Sequence, residues 1–382
     1  MNPYELAERD FEAFFAVPLH CYAGTPYVSP MKSDLRRILD PARNPLFRDG
    51  HGDFTYFTVR RNGRPVGRIV AHVHYDANRC HGANRGSFGF FDCADDADVA
   101  RLLLDAAEAW ARSRGFTEIV GNFNLTIAGN FNLTIAQQIG VVTDGFENDP
   151  YTDMMYNPPH IPRLLATCGY EPVFPMSTFE LDLERFDANT LLGPKQRELL
   201  AAPELTWRLL RRRGFERYMA ETRTLLNQSF AANPLFVPVS EAEFLFQVGE
   251  MMWIVDERLS PIVYAPDGPV AVGVCIPDLN PFLRATGSRL RWTTPFLFLR
   301  HRLRRRRAIM IFGAVHPDWQ NRGLAGAMLY RGIAALQQAK YRSVGVTWIA
   351  DVNPASLKQM ERLGARRLQR LHLFRKDLGA AP

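Results

Sequence analysis

The stretch AIMIFGAVHPDWQNRGLAGAML, residues 308–329, decides how this chain reads. It opens as an apolar, β-prone run that stops at the turn His316-Pro317. A loop of small residues follows, then a helix whose Met328, Leu329, Ile333 and Leu336 share an apolar face. Gly323, Ala325 and Gly326 carry nothing beyond a methyl group. Backbone N–H groups at the helix start can therefore approach a pyrophosphate, whose charge the helix dipole favours. The stretch reads as an anion cradle. A nucleotide P-loop is disfavoured because no Lys-Ser/Thr follows the glycine, which leaves a helix start without a ligand as the competing reading.

Working outward, residues 260–264 and 270–276 flank Asp267-Gly268 as a hairpin, and a strand at 343–349 and a helix at 354–363 follow the cradle. The first half repeats this order. Strands at 54–59 and 68–75 surround Asn62-Gly63, and a strand at 86–91 comes next. A helix at 98–112 then carries Val99, Leu103, Ala106 and Trp110 at helical spacing, and a strand at 118–124 follows Gly115. At 382 residues the chain is long for one domain. The repetition predicts two: residues 1–187, a linker at 188–203 marked by Gly193-Pro194 and Pro203, and residues 204–382. The octamer GNFNLTIA occurs twice in tandem, at 121–128 and 129–136. Two copies are too few for a solenoid, so a local duplication that lengthens a strand or loop is expected.

The cradle resembles the acyl-CoA signature of the GNAT acyltransferase superfamily, Gln/Arg-x-x-Gly-x-Gly/Ala, in Gln320-Asn321-Arg322-Gly323-Leu324-Ala325, with Val315-x-Pro317 ahead of it. Asn353-Pro-Ala-Ser356, followed by Gly364, resembles the next helix of that family. The resemblance implies an α/β fold with a mixed sheet, two tandem GNAT-like domains, and acyl-CoA or acetyl-CoA as co-substrate with no metal. It implies a donor site at Val315, residues 320–326, Asn353 and Ser356. Only the second half carries the motif. At the corresponding junction the first half has Asp92, Asp95, Asp96 and Asp98 and no glycine, charges that would repel a pyrophosphate. The loop at 143–160 resembles one found in tandem members, in which Glu147, Asp149, Tyr151 and Asp153 either line the acceptor site or cap their own domain.

Acyl transfer to an amine needs a polarised thioester carbonyl and an acceptor for the amine's proton. In many relatives a Tyr on the second helix reprotonates the thiolate; here Met360 stands at that place, and residues 309–315 hold no Glu. Asp351, His316 and His372 remain as catalytic candidates, each with an ordinary structural alternative. Cys275 has no recognisable base beside it and reads as a buried thiol.

Composition sets the outer limits. Hydrophobic residues make up 47% of the chain and charged residues 23%, which excludes extensive disorder. Five scattered cysteines without a C-x-x-C pair exclude a disulfide framework or structural zinc. With no export signal or spanning segment, a cytoplasmic protein is expected, able to sit at the inner membrane face. Against a whole-chain net charge of +6, residues 283–307, LRATGSRLRWTTPFLFLRHRLRRRR, hold nine arginines and no acidic residue. That mixture suits an anionic membrane interface or a solvated Arg-rich loop; nucleic acid is not expected, because no reader module accompanies it. The whole arrangement looks like that of bacterial ceramide synthases. That resemblance implies an acyl-CoA donor and a long-chain sphingoid amine as acceptor, against a small polar amine or a non-catalytic acyl-CoA-binding role.

Overall fold

The computed structural model describes residues 3–125, 138–231, 236–248 and 251–379. The first half contains β1 (Tyr4–Glu8), α1 (Phe11–Cys21), α2 (Lys32–Ile38), α3 (Pro45–Arg48), β2 (Gly52–Arg61), β3 (Arg64–His74), α4 (Tyr75–His81) and β4 (Arg85–Cys93). It continues through α5 (Ala97–Arg112), β5 (Glu118–Gly121), β6 (Val141–Asp144), α6 (His160–Thr167) and β7 (Glu171–Asp182). The second half runs through α7 (Pro194–Ala201), β8 (Thr206–Leu209), α8 (Phe215–Phe230), α9 (Glu241–Val248), α10 (Met251–Ile254), β9 (Pro261–Ala265) and β10 (Gly268–Pro277). It ends with α11 (Asn280–Thr286), α12 (Thr294–Arg304), β11 (Arg307–Val315), α13 (Leu324–Gln338), β12 (Ser343–Ala350), α14 (Pro354–Arg362) and β13 (Arg366–Asp377).

Both halves share one mixed sheet in the order β1-β2-β3-β4-β5-β13-β7-β12-β11-β10-β9-β8, with β6 also on β13. Among the described residues two pairs are parallel, β4 with β5 and β11 with β12. A parallel pair needs a long crossover, and α5 and α13 provide one each. The helices bury one stripe against the sheet: Val99, Leu103, Leu104 and Ala107 in α5, Leu324, Ala327, Met328, Ile333 and Leu336 in α13.

The last strands are exchanged. β13 from the C-terminus inserts beside β5 of the first half, while β7 of the first half pairs with β12 of the second. Each half therefore completes its sheet with a strand of the other.

Three sequence expectations need correction. The strand expected at 118–124 ends at Gly121, because Asn122 and Asn124 turn their side chains onto the backbone of β4. The stretch 188–203 is not a plain linker: Gly193-Pro194 starts α7, with Pro194 in the first turn and Gln196 Oε1 accepting the Gly193 N–H at 3.1 Å. The Arg-rich stretch forms two helices, α11 and α12, and is not an open loop. From residue 126 the octamers, including the whole second copy, lie outside the described residues. Among the described residues no helix is long and apolar enough to cross a membrane.

Candidate active site

β11 and β12 pair from Arg307↔Ser343 to Met310↔Val346 and then part. On its other edge β11 faces β10 with a register shift, Val274 opposite Phe312 and Cys275 opposite Met310, so Ile311 is the extra residue of a bulge. Beyond Met310 the β12-facing edge of β11 has no strand partner. A cavity of about 290 Å³ fills the gap. Ala325, Met328, Leu329, Gly332 and Leu336 line it on successive turns of α13. It therefore follows the helix for roughly 16 Å at 1.5 Å per residue. Its far wall takes Phe230 from α8 and Phe174 from β7.

At the mouth, Gly323 has φ 93° and serves as N-cap of α13 with no side chain capping the first turn, which also lacks an acidic residue. The amides of that turn are thus available to an anion. The glycines answer a second demand as well. A Cβ at Gly323 would meet Gln196 Nε2 at 3.0 Å and one at Gly326 would meet it at 3.2 Å, so α7 packs on the cradle through them. Leu324 is buried in the core, whereas Asn321, Arg322 and Ala325 are exposed. Gln320 donates to the Val315 carbonyl at 3.0 Å. Of the residues expected to hold the donor, Val315, Ala325, Asn353 and Ser356 line the cavity. Asn353 is also the N-cap of α14, its Oδ1 accepting the Ser356 N–H.

Among the described residues the only ionisable group in the cavity lining is Cys275, which is 2% exposed and whose thiol burial pushes far up. It is therefore a poor nucleophile. Met360, buried at 6% exposure, forms part of the wall. Thr347, just past the last β11–β12 pair, lines the cavity with its buried Oγ1 unpartnered among the described residues. Sequence reading passed over it, because a β-branched residue in a strand carries no functional signal.

The three catalytic candidates lie outside the lining. Asp351 sits between the lining residues Ala350 and Val352, and Arg370 grips its carboxylate at 2.8 and 2.5 Å. That contact holds the carboxyl below its ordinary range. His372 is on β13, its Nδ1 2.9 Å from Thr143 Oγ1. Burial, then Arg370, lowers its pKa, so the imidazole is neutral at physiological pH. His316 caps the turn at Pro317–Trp319 by accepting the Asp318 N–H.

The acidic loop gathers elsewhere, against the start of the β10–β11 insertion. Asp149 pairs with Arg284 and Arg307, which hold its pKa down despite burial. Tyr151 is fully buried, bonded to Glu180 and Ser343, with Arg307 3.8 Å from its ring centroid. Thr152 binds Asp278 through both N–H and Oγ1. Asp153 is buried with neither oxygen partnered among the described residues, and burial raises its pKa well above the usual carboxylate value. Glu147 is exposed beside Asn148.

In the first half the equivalent gap is filled by the chain itself. Past Phe88↔Gly121, the Phe123 N–H donates to Phe88 O, Asn124 Oδ1 takes the Phe90 N–H and Asn122 Oδ1 takes the Phe91 N–H. A Cβ at Gly89 would lie 1.8 Å from the Phe123 carbonyl oxygen. The start of α5 is occupied too, because Asp96 caps the Asp98 and Val99 amides.

Parallel strands that part over a cavity, a bulge in the first of them and an uncapped helix start define the class: this is the GNAT fold, in tandem. A solved tandem GNAT protein from the clavulanic acid biosynthesis pathway superposes on 99% of this chain and 100% of its own at TM-score 0.59 and 12% identity. A GCN5-related N-acetyltransferase from Sphaerobacter thermophilus covers 100% of this chain and 98% of its own at TM-score 0.52 and 12% identity. By sequence the chain is 25% identical to Protein YghO of Escherichia coli (strain K12), over 98% of this chain and 94% of that protein. It is 24% identical to the bacterial ceramide synthase of Caulobacter vibrioides (strain NA1000 / CB15N), over 97% and 95%. No protein-family profile matches.

Proposed function

We propose that the chain is an N-acyltransferase that moves a long acyl group from acyl-CoA to an amphiphilic primary amine of the sphingoid-base type. The observation that carries this reading is the cavity between β11 and β12: an uncapped helix start at its mouth, and an apolar floor at Cys275, Leu336 and Met360. The Caulobacter relative motivates the choice of amine. The pyrophosphate sits on the amides of residues 323–326, and the acyl chain takes the apolar depth.

The neutral amine attacks the thioester carbon, the C–S bond breaks and CoA leaves as thiolate. A backbone N–H on the free edge of β11 near the Ile311 bulge polarises the carbonyl. Thr347 Oγ1–H donates to the departing sulfur. The amine's proton leaves toward the polar cluster at the end of β12, where His372 is held neutral and can accept it while Asp351 is occupied by Arg370. His372→Gln should lower turnover and remove the acid limb of its pH profile below about pH 6.5, the ordinary histidine value. Asp351→Asn should change mainly the pH at which that limb falls. A profile unaltered by either variant would hand the proton to water. Acyl-CoA binding without amide formation from any amine would favour a binding role.

A further inference from the structure

We infer that α12 is a docking helix for an anionic phospholipid bilayer. α11 is tied down: Asn280 donates to the Pro150 carbonyl, and just beyond the helix Ser288 donates to the Ser29 carbonyl. α12 contains no buried residue. Its inner side rests on α11 through Phe298, whose ring lies 5.4 Å from Phe282. The outer side is apolar and bare: Phe296 is 69% exposed, Leu299 56% and Leu303 76%, with Trp292 at 84% just ahead of the helix. Phe296, Leu299 and Leu303 are spaced i, i+3 and i+7, a single line along the helix, and Trp292 precedes it in sequence. Such a stripe ordinarily faces a core.

Arginines flank it on both sides. At 3.6 residues per turn, Arg300 and Arg302 fall about 80° to either side of the stripe. Among the described residues Arg300, Arg302 and Arg304 have no carboxylate within 4.0 Å, whereas Arg305 and Arg307 are neutralised by Asp256, Asp149 and Asp278. Beneath α12 lies a hollow of about 360 Å³ lined by Arg300, Arg304 and Arg306, which have no carboxylate within 4.0 Å among the described residues, and by Asp278 with its partner Arg307.

An apolar ridge with Arg300 and Arg304 on one side and Arg302 on the other matches the boundary of a bilayer. The ridge enters the acyl region, the arginines stay with the phosphates, and the hollow takes a headgroup phosphate. A nucleic acid would meet the charges and leave the ridge wet. Arg307 precedes Met310, where the β strands part, by three residues, so docking would hold the cavity roughly 10 Å from the anchored insertion. The inference does not depend on the acyl-transfer reading.

The test is co-sedimentation of the full chain with vesicles of phosphatidylcholine alone or mixed equally with phosphatidylglycerol, together with the Trp292 emission. The expected result is partitioning to the anionic vesicles only, a blue shift absent from Trp292→Phe, and weakening by salt. Arg300→Gln and Arg304→Gln should each lower partitioning roughly fivefold, and Phe296→Ser with Leu303→Ser should abolish the blue shift. Circular dichroism would verify that these exposed substitutions leave the fold intact. Equal binding to neutral vesicles would overturn the proposal. So would binding insensitive to the stripe, competition by an oligonucleotide at the same residues, or self-association through the stripe without vesicle binding.

Discussion

Replacing Gly332 by leucine should shorten the acyl chain the protein accepts while leaving the fold sound. Gly332 is buried in the middle of α13 and lines the cavity, yet a Cβ built on it would meet nothing within 4 Å. No close packing explains a residue that costs a helix interior about 1 kcal/mol relative to alanine. The open space in front of it does. Leucine would put four carbons into the space that the proposed reading gives to methylenes of a long acyl chain. At about 0.8 kcal/mol per buried methylene, the displaced chain loses on the order of 3 kcal/mol, roughly two orders of magnitude in kcat/KM. The assay is kcat/KM across acetyl-, octanoyl- and palmitoyl-CoA with one amine, alongside thermal unfolding. Palmitoyl-CoA should suffer this loss, acetyl-CoA little, and the Tm should hold or rise. An equal loss for all three donors, or an unaffected palmitoyl donor, would refute the assignment of this space to the acyl chain.

Three further outcomes are expected. Ala325→Glu places a carboxylate at an exposed second helical position, where it favours the fold by up to about 1 kcal/mol. It should nevertheless weaken acyl-CoA binding at least roughly tenfold through charge repulsion, whereas Ala97→Glu at the start of α5 should not, as calorimetric titration would register. Cys275→Ala should retain turnover, and an acyl group found on Cys275 by mass spectrometry would contradict direct transfer. His72 is 1% exposed, with Nε2–H donating to the Phe123 carbonyl and its pKa lowered by burial to about 4. The unfolded chain takes up that proton as pH falls from about 6.5, so stability should drop between there and pH 4 by about 3 kcal/mol. Urea unfolding at several pH values should show this slope, reduced in His72→Gln.

How much of this was legible in the sequence depended on range. The hairpins, the two strand–helix–strand runs and the turn at residues 320–326 all come from local pattern, and each formed within a few residues of its expected bounds. The exchange of β7 and β13 is a choice between distant partners, and nothing in a strand's own pattern says which edge it will join. α7 escaped because Gly193-Pro194 is punctuation in sequence and a helix start in space. Its Gln196 gives Gly323 and Gly326 a packing role that the anion-cradle reading alone did not contain. The parting of β11 from β12, and with it the place of Thr347, appears only when both strands are set side by side. Asn122 and Asn124 looked like part of a repeat; their chemistry lies in where β4 leaves amides open.

The central claim is acyl transfer to an amine at one site, and a single-turnover experiment tests it most directly. The protein is mixed with stoichiometric palmitoyl-CoA and excess sphinganine, and free CoA thiol and N-palmitoyl product are counted together over time. Thiol and amide should appear in equal amounts and at the same rate, with no acyl group on the protein. Palmitoyl-CoA that binds but yields neither product with sphinganine or with small polar amines would contradict that claim.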